Sequence, residues 1–103
     1  MAVVTSTLLN GMRQQLIDSV DHAQFKIGSS YIDSPINEKK MNKNGTVNIG
    51  FYINAKAGQT ITQCRLLDKA NNVLAVKSEN ISMSSTASAI YYFFTFNLYE
   101  LTT

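Results

Sequence analysis

The stretch Ala89-Ile90-Tyr91-Tyr92-Phe93-Phe94-Thr95-Phe96-Asn97-Leu98-Tyr99-Glu100-Leu101 decides the fold class. Read with a period of two, Ile90, Tyr92, Phe94, Phe96 and Leu98 share one face, and Tyr91, Phe93, Thr95, Asn97 and Tyr99 share the other. That alternation belongs to a β-strand, and aromatic side chains suit its pleated surface. One face fills a core. The other still carries three aromatics, more than solvent contact explains comfortably, so it predicts a covered surface. The apolar part of the stretch is far too short to span a bilayer as a helix.

Upstream the same period recurs. Val47, Ile49, Phe51 and Ile53 alternate with Thr46, Asn48, Gly50 and Tyr52, predicting a strand over about 46–54. Ala57-Gly58 marks a turn, and a strand of mixed facing follows over about 60–67. Asp68-Lys69-Ala70-Asn71-Asn72 reads as a hairpin turn returning into a strand over about 73–77. Ser82 to Ser88 is small and polar, a loop or an edge rather than core. The final strand is expected over about 89–100.

The first half is less regular. Leu8, Met12, Leu16 and Val20 recur every four residues, with Leu9 and Ile17 widening the stripe, so a helix is expected over about 5–20. Asp18 and Asp21 disfavour its continuation, because carboxylates oppose the negative end of the helix dipole. A short strand over about 23–28 sets Phe25 and Ile27 on one face. Residues 28–45 are dense in Gly, Ser, Asn and Asp, hold the single proline (Pro35), and read as one long loop. Tyr31, Ile32 and Ile36 are expected to pin that loop to the core. These elements predict a single domain over 1–103, mainly β (α+β): an antiparallel β-sandwich with one N-terminal helix packed against it.

Composition narrows the chemistry. Of 103 residues, 45% are hydrophobic and 16% charged, against about 25% charged in an average domain. The net charge is +2, and the densest basic run, Glu38-Lys39-Lys40-Met41-Asn42-Lys43, is too short for a nucleic-acid face. The single cysteine, Cys64, permits no intramolecular disulfide. The segment Met1-Ala2-Val3-Val4-Thr5-Ser6-Thr7 lacks the basic-then-apolar pattern of a signal peptide.

No constellation for catalysis emerges. His22, at the helix-to-strand junction, is expected to satisfy helix-end carbonyls rather than to act as a base or metal ligand. Cys64 lies in a strand with no evident partner to lower its pKa, which predicts a buried, inert thiol. The carboxylates are scattered rather than spaced for a cation, and the glycines form no phosphate cradle. The expectation is a non-enzyme without metal or cofactor.

Several phrases carry a resemblance. Val4-Thr5-Ser6-Thr7-Leu8-Leu9-Asn10-Gly11-Met12, the helix after it and Phe25-Lys26-Ile27-Gly28-Ser29-Ser30 resemble the N-terminal domain of phage tail-fibre and tail-collar proteins. Ser30 stands where that group has a second glycine. Gly58-Gln59-Thr60-Ile61-Thr62-Gln63-Cys64-Arg65-Leu66-Leu67-Asp68 is similar to a strand of the group, although Gln63, Arg65 and Leu67 replace its usual acid, glycine and phenylalanine. Asn71-Asn72-Val73-Leu74-Ala75 is similar to its hairpin return, and Ile81 to Ser88 leading into Leu98-Tyr99-Glu100 to its close.

The resemblance implies a virion structural protein: a tail or baseplate adaptor or fibre-attachment subunit, with no shaft of its own. It would be made in the host cytoplasm and located in the virion tail. Its partners would be other virion or tail proteins, in a symmetric homo-oligomer, with no nucleic acid and no membrane insertion. The interface expected for it comprises Tyr31, Ile32, Ile36, Tyr91, Phe93 and Tyr99. Two alternatives stay open: a host-surface carbohydrate-binding module, and a neck, head–tail connector or tail-terminator subunit.

Overall fold

The computed structural model describes residues 6–43, 45–84 and 89–97. Helix α1 (Ser6–Ser19) leads into β1 (His22–Ile27), β2 (Ser30–Pro35), β3 (Glu38–Met41), β4 (Thr46–Asn54), β5 (Thr60–Leu67), β6 (Val73–Ser82) and β7 (Ala89–Asn97). The strands form two antiparallel sheets packed together, one ordered β2-β1-β5-β6 and the other β3-β4-β7. The fold is therefore mainly β with an N-terminal helix, as the alternating stretches imply.

Three tight turns follow from local chemistry. Gly28, with φ of 61°, begins the two-residue link that sets Ile27 opposite Ser30. Only this first position takes a left-handed backbone, so a serine at position 30 needs no glycine's freedom. Asn42 N–H donates to the Thr46 carbonyl at 2.8 Å and closes the β3–β4 link. At the β5–β6 turn Asp68 Oδ1 accepts from the backbone N–H of Ala70 (3.0 Å) and of Asn72 (2.8 Å), while Asn71 takes φ of 65°. Asn and Asp tolerate such turns because their side chains replace missing backbone bonds. The bonds from Asn72 hold the Asp68 carboxyl below its usual pKa.

The inward row of β4, Val47, Ile49, Phe51 and Ile53, is wholly buried. It meets Ala23 and Phe25 of β1, Ile61, Cys64 and Leu66 of β5, and Phe94 beside it on β7. In a regular strand Ile61 and Cys64 would face opposite ways. A register shift between Ile61 and Gln63 restores the phase, so Ile61, Cys64 and Leu66 all enter the core.

Several sequence expectations need correction. The loop expected over 28–45 contains two strands, β2 and β3. Among the described residues both are edge strands with one pairing neighbour, and their side chains are largely exposed. Strands that bury little show no hydrophobic alternation, so composition alone reads them as loop. The strand expected over 73–77 runs on to Ser82, for the same reason. Met83, expected outside the core, is buried; its N–H donates to the Gln59 carbonyl at 2.9 Å.

The helix is rotated relative to the stripe expected for it. Leu9 and Val20 are buried, and Leu16 and Ile17 pack on the core, whereas Leu8 and Met12 are exposed. Helix α1 contacts β3 and β4. Its C-terminus is held by Lys39 of β3, whose Nζ donates to the carbonyls of Ile17 (2.7 Å) and Val20 (2.6 Å). A cation at the carbonyl end is the favourable pairing with the helix dipole, and it satisfies acceptors the helix leaves open.

Candidate functional site

Because β4 and β7 pair in unbroken register from Thr46↔Asn97 to Asn54↔Ala89, the outward residues of both strands form one surface. Gly50 lies opposite Phe93, and Tyr52 opposite Tyr91. Without a side chain at Gly50, the ring of Tyr91 folds across the strand: a Cβ there would sit 2.2 Å from the Tyr91 hydroxyl. That hydroxyl donates to Glu38 Oε1 at 3.2 Å and accepts from Asn37 Nδ2 at 3.4 Å. Tyr52 meets Tyr91 edge-on with centroids 4.8 Å apart, and Phe93 follows at 6.1 Å from Tyr91.

All three rings are exposed: Tyr52 at 48%, Tyr91 at 36% and Phe93 at 52%. Side chains that share ring contacts and a seat over glycine lose less freedom when a partner covers them. The cluster is thus a prearranged apolar surface edged by Glu38 and Asn37.

The six residues expected at the interface separate in the structure. Tyr91 and Phe93 lie together, and Tyr99 lies outside the described residues. Ile36 packs against the core between β2 and β3. Ile32 pairs with Phe25 on the inward side of β1 but remains exposed at the sheet edge. Tyr31 is on the outer face of the other sheet. Its hydroxyl donates to Gln63 Oε1 at 2.7 Å, and the Arg65 guanidinium stacks on its ring 3.6 Å from the centroid. Arg65 Nε in turn donates to Gln24 Oε1 at 2.8 Å, and Gln24 Nε2 to Asp33 Oδ1 at 2.6 Å. These bonds tie three strands together across the sheet.

Tyr52 and Gly50 are the members that sequence reasoning missed. Their shared outward phase on β4 is visible in the sequence, but only the β4–β7 register brings them to Tyr91. The 28–45 segment meets the last strand through Asn37 and Glu38, whose side chains bond the Tyr91 hydroxyl, whereas Tyr31 and Ile32, expected to pin it to the core, lie exposed on the other sheet.

The titratable groups are arranged differently from expectation in one respect. His22 Nδ1 pairs with Asp21 Oδ2 at 2.9 Å, so the helix-end carbonyls fall to Lys39 rather than to the histidine. Cys64 is buried, and desolvation, with the nearby Glu79 charge, pushes its thiol pKa up to about 12. Tyr92 is raised by desolvation and by its hydrogen bond to Glu79 Oε2 at 2.5 Å. Among the described residues no group of three or more His, Cys, Asp or Glu side chains is placed to hold a metal ion. No helix among them is long and apolar enough to cross a membrane.

No protein-family model, curated protein or solved structure matches the chain.

Proposed function

We propose that this protein is a structural subunit that acts by protein–protein assembly, packing the outer face of β3-β4-β7 against a neighbouring protein. The observation that carries this reading is the exposed Tyr52–Tyr91–Phe93 cluster, with the Tyr91 ring seated over Gly50. Tyrosine and phenylalanine are enriched where interfaces bury their centres, and charged residues are depleted there. The low charge of the whole chain favours the same use.

The resemblance of the helix start, the Gly58–Asp68 strand and the hairpin return to phage tail-fibre and tail-collar attachment domains gives the subunit its setting. In this proposal it is a virion component, a tail or baseplate adaptor or fibre-attachment subunit, with other tail proteins as partners and a symmetric assembly as context. Symmetry multiplies a modest contact, so no single interface has to be strong.

Co-expression with the products of neighbouring genes, followed by sizing, tests the reading. The wild-type chain is expected to co-elute with a structural protein, and a folded Tyr91→Ala/Phe93→Ala variant to elute alone. Persistence of the complex in that variant would overturn the assignment of the face. Glycan-dependent shifts of the Tyr52, Tyr91 and Phe93 resonances, with no protein partner, would instead favour the carbohydrate-binding alternative. Rings bordered by Glu38 and Asn37 are the feature that keeps this alternative in view.

A further inference from the structure

Among the described residues the two sheets have four edge strands, β2 and β6 in one and β3 and β7 in the other. An exposed edge is a row of unpaired N–H and C=O groups, which proteins ordinarily guard with charge, proline, bulges or shortness. Three of the four are guarded. β2 carries Asp33 and Pro35; β3 is four residues long and carries Glu38, Lys39 and Lys40. β6 has register shifts against β5 and carries Lys77 and Glu79.

β7 has none of these devices. It runs nine residues, Ala-Ile-Tyr-Tyr-Phe-Phe-Thr-Phe-Asn, without charge, proline or glycine, and pairs with β4 without a bulge. Among the described residues no strand occupies its other edge.

We propose that the free edge of β7 pairs antiparallel with β7 of a second copy of this chain across a two-fold axis. Strand addition of this kind takes its affinity from main-chain hydrogen bonds, and a two-fold interface requires a surface complementary to itself. β7 meets that requirement because self-pairing opposes only uncharged side chains, aromatics among them. The neighbouring edge agrees. Tyr92 links β7 to β6 through Glu79, and Lys77 Nζ lies 3.8 Å from Glu79 Oε2. That pair balances the charge of β6 within the chain, so no net charge on the neighbouring edge opposes a second copy. Pairing would join two three-stranded sheets into one of six strands, with both Tyr52–Tyr91–Phe93 clusters on the same face. The edge and that face are different surfaces of β7, so this inference does not depend on the proposed function.

Light scattering on a sizing column over a concentration series, combined with amide exchange at residues 90–96 by NMR, tests the proposal. In an isolated edge strand the amides alternate, those bonded to β4 protected and those on the free edge open. The expected result is a dimer in which consecutive amides of β7 are protected. A monomer throughout would overturn it, whether every second amide exchanges or all are protected by the chain's own remaining residues. A dimer in which every second β7 amide exchanges freely would overturn it too. Tyr52→Ser separates the two proposals: it alters the aromatic face on β4 and leaves the β7 edge intact. Loss of partner association with the dimer retained would implicate the face alone.

Discussion

The hydroxyl of Tyr91 occupies the space above Gly50 that a side chain would otherwise fill, with 2.2 Å to the position of an added Cβ. The contact is with the far end of an exposed side chain, and Gly50 has no left-handed φ, so alanine is compatible with its backbone. Gly50→Ala is expected to swing the Tyr91 ring outward and break its bond to Glu38. Stability should change by no more than about 1 kcal/mol, because alanine also restricts the unfolded chain. Near-UV circular dichroism should report loss of the Tyr52–Tyr91 packing at an almost unchanged urea midpoint. A large fall in the midpoint would mean that the ring is fixed in place rather than resting there.

Lys39 holds the end of α1 with two bonds to carbonyl oxygens. Lys39→Met keeps the aliphatic stem and removes the charge, and is expected to cost about 1–2 kcal/mol in urea denaturation. Lys40→Met, on the opposite side of the same strand, should cost far less. Equal effects would show that general charge, not the helix end, is responsible.

The buried Cys64 thiol gives a pH dependence of definite sign. Its folded pKa, about 12, lies above its ordinary value of 9.0, so the unfolded chain releases the proton first. Stability is therefore whole below pH 9 and declines as pH rises towards 12, by at most about 1.4 kcal/mol per pH unit for this group. Tyr92 is shifted in the same direction and adds to the decline. Urea midpoints measured between pH 8 and 10.5 should fall, and less steeply in Cys64→Ala. Identical slopes for the two proteins would contradict the shift.

On the other sheet, the stacking of Arg65 on Tyr31 is accessible to a double-mutant cycle. Arg65→Met and Tyr31→Leu are expected to couple by about 0.5–1 kcal/mol, the range for a partly exposed cation–π pair. Additive losses would reduce the 3.6 Å approach to proximity without energy.

What the sequence revealed depended on burial. The row Val47–Ile53 and the two faces of β7 were legible because a strand buried on one side must alternate. The edge strands β2 and β3 were not, since Ser30, Asp33, Glu38 and Lys40 answer to solvent and to a single neighbouring backbone. The helix lay between these cases. The four-residue spacing puts Leu8 in the stripe with Leu9 at its margin, whereas the core takes Leu9 and leaves Leu8 exposed. The aromatic face was half visible: Tyr91 and Phe93 stand out within β7, but Gly50 and Tyr52 join them only through a pairing between distant segments. The Lys39 contact with the helix end had no local signal, because its partners lie about twenty positions upstream.

The ladders β1–β2, β3–β4 and β5–β6 join neighbours in sequence, whereas β4 and β7 come from opposite ends of the 46–97 stretch. Such hairpins can close while a chain is still emerging from the ribosome, but Phe51 gains its contacts with Tyr92 and Phe94 only once β7 arrives. Until then β4 has a vacant edge and an incompletely covered apolar row. The strand that completes the core is thus also the last of the described strands to be synthesised, and folding to the native sandwich is delayed until translation has passed Asn97.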